Sequence, residues 1–231
     1  MNPNDRNDRH APSRIHSWNV ADDGIDMLRL TIIVSVLSSM MFKFIGGNVA
    51  IAVTEVVVSV ILATFTVLAL NKWRAIPPSS GATGLANIGF AGSVINLIGA
   101  GFGLIVTLMA VGGAFTTTRS LKPWLLVFAL ITIVGSMLQV IGFLLSARTA
   151  ALHVQRPDVA ATATRTLVFG LLTGCLALFA IVGGVGRGDS AVLLLVLLLA
   201  LAVTTLVLFL FTLSAIQKAI RFRPDLSEAF S

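Results

Sequence analysis

Apolar residues run along this chain in six long blocks, and polar residues are confined mostly to short segments between them. The blocks are Met27–Ile45, Val49–Leu70, Ala91–Ala114, Pro123–Ala147, Thr166–Gly186 and Ala191–Ala215. Most reach the roughly 20 residues that carry a helix across the hydrocarbon of a bilayer. None alternates apolar and polar positions with the two-residue period of a barrel strand. A segment surrounded by hydrocarbon must satisfy its own backbone hydrogen bonds, so the pattern predicts an all-α fold: a polytopic, six-transmembrane-helix bundle. The first span is the weakest, because Arg29 and Lys43 limit its apolar stretch.

The breakers agree with these blocks. Gly46-Gly47-Asn48 predicts a tight turn between spans one and two, and Pro77-Pro78 followed by Ser79-Ser80-Gly81 closes the exit from span two. Ser120 and Pro123 suit the start of span four. Two helices should overshoot the membrane: Pro123 to about Gln155, and Ala191 to about Phe222, stopping near Pro157 and Pro224. These two projections also resemble each other. Phe143-Leu144-Leu145-Ser146-Ala147 matches Phe211-Thr212-Leu213-Ser214-Ala215, Ala151 and Ala219 follow in register, and Arg-Pro-Asp ends both at 156–158 and 223–225. A duplication of helical hairpins is one origin of that likeness, and coincidence between two membrane exits is the other.

Charge then orients the spans. With six crossings both termini share one side, A, and 12 of the 16 Lys and Arg residues fall on it, against Lys43, Arg119, Lys122 and Arg187 on side B. The positive-inside rule puts side A in the cytoplasm. This predicts a cytoplasmic tail at residues 1–26, a membrane domain at 27–222 and a second cytoplasmic tail at 223–231, most simply in a plasma or bacterial inner membrane. Trp18 and Trp73 near A, and Trp124 near B, match the interfacial preference of indole rings. Residues 30–42 have the length of a secretory apolar core, but the long acidic stretch before them and Lys43 within the run favour a retained span. The net charge of +6 is spread over loops rather than gathered in a patch, which fits contact with anionic lipid and not nucleic acid.

Packing devices are abundant. Span three carries Gly99-x-x-x-Gly103 and span five Gly170-x-x-x-Gly174, small-residue ridges that let helix backbones approach closely, within the bundle or against another subunit or a second copy. Span six is nearly all leucine from Leu193 to Leu201, the composition of a helix facing lipid or a partner. Single Cys175 reads as a small buried side chain. Asp22, Asp23 and Asp26 gather where a helix beginning after Ser17 or Asn19 would welcome negative charge.

Candidate chemistry is sparse. Glu55 is the one acidic residue inside a predicted span, two turns into span two, and Lys43 lies close enough across the turn for an ion pair. Ionisable groups in hydrocarbon mark functional sites by default, so Glu55 and Lys43, with Asn96 and Gln139 at matching depths on spans three and four, form the candidate intramembrane polar site. The two amides are placed to bond each other. His10, His16 and His153 have no companions at metal-ligand spacing, the Gly183–Gly188 cluster lacks the lysine and hydroxyl of a phosphate loop, and nothing requires a cofactor or metal. Three functional readings stand open. A non-catalytic scaffold or accessory subunit, working with other membrane proteins, explains many packing devices beside little chemistry. A transporter or channel for an ion or small solute would use Glu55. A lipid-modifying enzyme would need His153, Arg156 and Asp158 to converge.

Overall fold

The computed structural model describes residues 11–45, 48–113, 118–182 and 189–221. Among these the protein is all helical: α1 (Ala11–Ile45), α2 (Val49–Trp73), α3 (Thr83–Val111), α4 (Thr118–His153), α5 (Pro157–Val182) and α6 (Asp189–Arg221), with a short 3-10 turn at Pro78–Ser80. All six are long and apolar enough to cross a membrane. Each packs against its neighbours in sequence, and α1 meets α6 to close the ring. The end carrying the start of α1 and the finish of α6 is called A, the opposite end B.

Local sequence accounts for the helix boundaries. Asn48 caps α2, its side-chain oxygen accepting the Ile51 N–H at 2.9 Å. After α2, Pro77 forces extended backbone, Ser80 Oγ donates to the Pro77 carbonyl at 2.7 Å, and Gly81 takes the left-handed φ of 69° that turns the chain into α3. At the end of α4, the Arg156 N–H reaches back to the Ala151 carbonyl while Gln155 adopts φ 57°. Pro157, unable to extend α4, opens α5. The two expected overshoots end at His153 and Arg221, while Gly46-Gly47, the Gly183–Gly188 cluster, His10, residues 223–231 and the second Arg-Pro-Asp lie outside the described residues.

Several boundaries and placements differ from expectation. Helix α1 begins at Ala11, sixteen residues before Met27, so most of the stretch read as a tail is helical. The cause is a stripe, Trp18, Ala21, Ile25 and Leu28, that buries one side of an otherwise polar segment. Gly24 on α1 makes that approach possible, since a methyl there would lie 2.7 Å from the Ala69 carbonyl oxygen of α2. Asp22 and Asp26 consequently lie well inside a helix instead of capping one. They hold Arg221 at 2.9 and 3.0 Å, and Gln217 donates to Asp26. Asp23 faces Lys72 at 3.7 Å. Trp18 and Trp73 stand toward the A end as expected but are buried among neighbouring helices, and Trp73 Nε1 donates to Ser146 Oγ at 2.8 Å. Cys175 is exposed on the outside of α5 rather than buried. In the matched segments Phe143 is 1% exposed and Phe211 65%, so the sequence likeness does not extend to equivalent places in the bundle.

Two helix seams follow a seven-residue period. On α3, Gly89, Gly92, Asn96, Gly99 and Gly103 alternate three- and four-residue steps. On α4, Phe128, Thr132, Gly135, Gln139 and Gly142 do the same in the opposite direction. A methyl on Gly142 would fall on the Gly89 amide nitrogen, one on Gly92 on that of Gln139, and one on Gly135 would lie 2.8 Å from that of Asn96. Backbones therefore touch backbones along this seam. The α5–α6 seam uses threonines: Thr166 and Thr212 share a buried hydrogen bond of 2.8 Å, and Thr173 and Thr205, seven residues along each helix, share one of 3.1 Å.

Buried apolar side chains gather toward the A end. Trp73, Phe143 and Phe209 stack at centroid distances of 5.3 and 5.5 Å, surrounded by Ile25, Leu70, Leu144, Leu213 and Ile216. Among the described residues only Val106 of the buried apolar set belongs to the B half. Toward B the hairpin α1–α2 stands apart from α3–α4.

Candidate functional site

The gap between those two hairpins is a cleft of about 460 Å³. Helix α1 contributes Thr31, Ser35, Ser38, Ser39 and Phe42, and α2 contributes Glu55, Ser59, Ala63 and Thr66. Apart from the adjacent Ser38 and Ser39, each set recurs every three or four residues, so each follows one side of its helix. Asn96 of α3, Thr132 and Gln139 of α4 and Leu206 of α6 also line the cleft, and apolar side chains such as Val36, Val56, Val58, Leu62 and Phe128 fill much of the remaining surface.

Depth follows from the 1.5 Å rise per residue. Measured from the ends flanking the α1–α2 turn, Glu55, Ser38 and Ser39 share a level about 10 Å in, Ser35 and Ser59 one about 15 Å in, and Thr31 and Thr66 lie at about 21–26 Å. Asn96 and Thr132 fall near that deepest level by the same measure. The floor is apolar. One turn beyond Thr66 is Leu70, and one turn beyond Gln139 is Phe143, both fully buried in the aromatic layer.

Three of the four residues of the expected polar site thus meet in one place: Glu55, Asn96 and Gln139 all line the cleft. The amides face each other across the α3–α4 seam with Asn96 Nδ2 3.5 Å from Gln139 Oε1, a long, weak hydrogen bond. Lys43 does not join them. It lies next to Phe42 near the end of α1 and is not part of the lining. No ion pair between Lys43 and Glu55 forms among the described residues; those present are Lys72–Asp23, Arg156–Asp158, Arg221–Asp22 and Arg221–Asp26. Glu55 is the lone ionisable side chain of the lining.

Sequence reasoning passed over the serines and threonines that supply most of the polar groups of this surface. Their signal was present in the spacing of Thr31, Ser35, Ser38 and Ser39 on one face of α1 and of Glu55, Ser59 and Thr66 on one face of α2. The glycine ridges point elsewhere. Gly99 and Gly103 face Thr132 and Phe128 of α4, and Gly170 and Gly174 face Val140 and Met137 of α4, all inside the bundle.

A second cavity of about 500 Å³ lies between α4, α5 and α6, largely apolar, and shares Thr132, Gln139 and Leu206 with the first. At the A end, Arg156 grips Asp158 through two hydrogen bonds of 3.0 and 2.9 Å, on an exposed connection beside exposed His153. No cluster of three or more metal-binding side chains occurs among the described residues. No family model, curated protein or solved structure matches the chain.

Proposed function

We propose that this protein is a non-enzymatic multi-pass membrane protein that admits an ion or small polar solute into the cleft between its first two hairpins, as a carrier or channel. The observation that carries the reading is the cleft itself. The amides and hydroxyls can serve packing alone, but a scaffold has no use for the Glu55 carboxylate, held at membrane depth without an ion-pair partner among the described residues, where an ionisable group is costly. The 12-to-4 distribution of basic residues supports a cytoplasmic A end, with the cleft mouth at the outer face of a plasma or inner membrane. The apolar A end then acts as an inner seal and the B end as an open vestibule.

The test is chemical access. Ala63 lines the cleft below Glu55. In a Cys175→Ser background, Ala63→Cys should react with a membrane-impermeant thiol reagent added outside intact cells and not when the reagent is confined to the cytoplasmic side of inverted vesicles. No reaction from outside in folded protein refutes the open cleft, and reaction from inside alone refutes the orientation. An accessory subunit is the second reading, favoured by the outward stripe Leu199, Val203, Val207 and Phe211 on α6. A stable associate in native detergent extracts that covers α6 would support it.

A further inference from the structure

Four of the hydroxyls contributed to the cleft by α1 and α2 have already committed their hydrogens. Thr31 Oγ1 donates to the Met27 carbonyl at 2.8 Å, Ser38 Oγ to Val34 at 2.8 Å, Ser59 Oγ to Glu55 at 2.9 Å and Thr66 Oγ1 to Leu62 at 2.9 Å. A hydroxyl has one hydrogen and two lone pairs, so each of these oxygens is left to the cleft as an acceptor. The same residues in the open rotamer would have offered donors. With the Glu55 carboxylate, these oxygens give the otherwise apolar cleft a set of acceptors and one acidic group, with no cationic side chain in its lining.

From this we infer that the cleft binds a small monovalent cation at the level of Glu55, held by that carboxylate and by hydroxyl oxygens of α1 and α2, an inference that rests on the cleft being open to solute. The charge argues for the valence. In a low-dielectric setting an isolated carboxylate draws a counter-charge strongly, and a divalent ion beside a single carboxylate would leave a net charge buried instead of a neutral pair. An anion meets the carboxylate and a row of lone pairs. At that level the polar atoms on offer are carboxylate and hydroxyl oxygens, which suit a hard cation, and Glu55, Ser38 and Ser39 coincide in depth across the two antiparallel helices.

The experiment uses purified full-length protein carrying Cys175→Ser and Ala63→Cys, and a small neutral maleimide, so that the reagent's own charge plays no part. Labelling rates are compared in sodium, potassium and lithium chloride and in the chloride of the bulky cation N-methylglucamine, at constant ionic strength. At least one alkali cation should slow labelling by about tenfold when present at roughly ten times its dissociation constant, because only the unoccupied cleft reacts. That protection should vanish in Glu55→Gln and survive in Glu55→Asp. Equal rates in all four salts, or protection that persists in Glu55→Gln, overturns the cation site while leaving the open cleft standing. Absence of labelling in every salt removes the cleft, and the cation site with it. The same ion should raise the melting temperature of protein with Glu55 intact and leave Glu55→Gln unmoved, so a cysteine variant that folds poorly does not decide the matter.

Discussion

Gly142→Ala adds a single methyl at the tightest point of the bundle. At an unencumbered helix position this substitution stabilises by about 1 kcal/mol, because alanine loses less backbone freedom than glycine. Gly101 is such a position, with nothing within 4 Å of the added carbon. At Gly142 the methyl would overlap the Gly89 amide nitrogen and lie 2.6 Å from the Gly89 Cα. Backbone cannot rotate aside as a side chain can, so α3 and α4 must part. Parting loosens every layer of the seam from Gly89 to Gly103, and lipid returns no hydrophobic gain to offset the weakened packing. Overpacking of this kind costs about 1–3 kcal/mol, and backbone against backbone belongs at the upper end. The expected loss of about 3 kcal/mol lowers the folded-to-unfolded ratio roughly a hundredfold. Unfolding of purified protein in mild detergent, followed by circular dichroism during titration with a denaturing detergent, measures it. Gly92→Ala should match Gly142→Ala. Gly103→Ala, which meets the edge of the Phe128 ring at 2.7 Å, should cost less, and Gly170→Ala and Gly174→Ala, at 3.4 Å from flexible side chains, least of all. Equal stability of Gly142→Ala and Gly101→Ala would refute the backbone contact.

Two further outcomes are expected. In the α5–α6 seam a double-mutant cycle of Thr166→Val and Thr212→Val should give a coupling of about 0.6 kcal/mol, the average for hydrogen bonds between membrane helices, and zero coupling would mean that the pair at 2.8 Å does not join the helices. Cys175, on the outer face of α5, should react in native membranes with a lipid-soluble maleimide and resist a sulfonated one; the reverse selectivity would place that face in water.

The spans were legible because continuous apolar composition is enforced by the solvent, and the Asn48 cap and the Pro77–Gly81 turn were legible because their backbone needs are local. What escaped depends on facing. The first half of α1 lacks a continuous apolar run, and its burial rests on Trp18, Ala21, Ile25 and Leu28 among aspartates, a stripe visible only when the helix is wound. A search for glycines four apart finds Gly99 and Gly103 and overlooks Gly89, Gly92, Gly135 and Gly142, whose steps of three, four and seven build the closer seam. Lys43 and Glu55 are near each other along the hairpin, yet only Glu55 lines the cleft, a difference in facing that spacing along the sequence does not reveal. Trp18 and Trp73 sit at the expected end of the bundle, yet the side chains that bury them come from helices far away in sequence.

A passage through this bundle has to cross the layer of Trp73, Phe143 and Phe209, since the cleft stops one turn short of it. Phe143 is the central member, stacked on both of the others. Removing its ring forfeits two aromatic contacts, each worth about 0.5–1.5 kcal/mol, and in hydrocarbon little transfer energy is lost beside them. Phe143→Ala should therefore fold, with stability reduced by roughly 1–3 kcal/mol. Its effect on permeation should be larger. With the ring gone, the layer keeps Trp73 and Phe209 but loses the side chain that bridges them, which opens a gap in the barrier between the Gln139 level of the cleft and the A end. Cation uptake by reconstituted vesicles should then become a non-saturating leak, whereas Phe143→Leu, which keeps most of the volume, should stay tight. Folded Phe143→Ala protein that leaks no more than the parent would show that the aromatic layer is not the barrier. The cleft would then have to be a closed-ended binding pocket, and transport would have to be abandoned as its purpose.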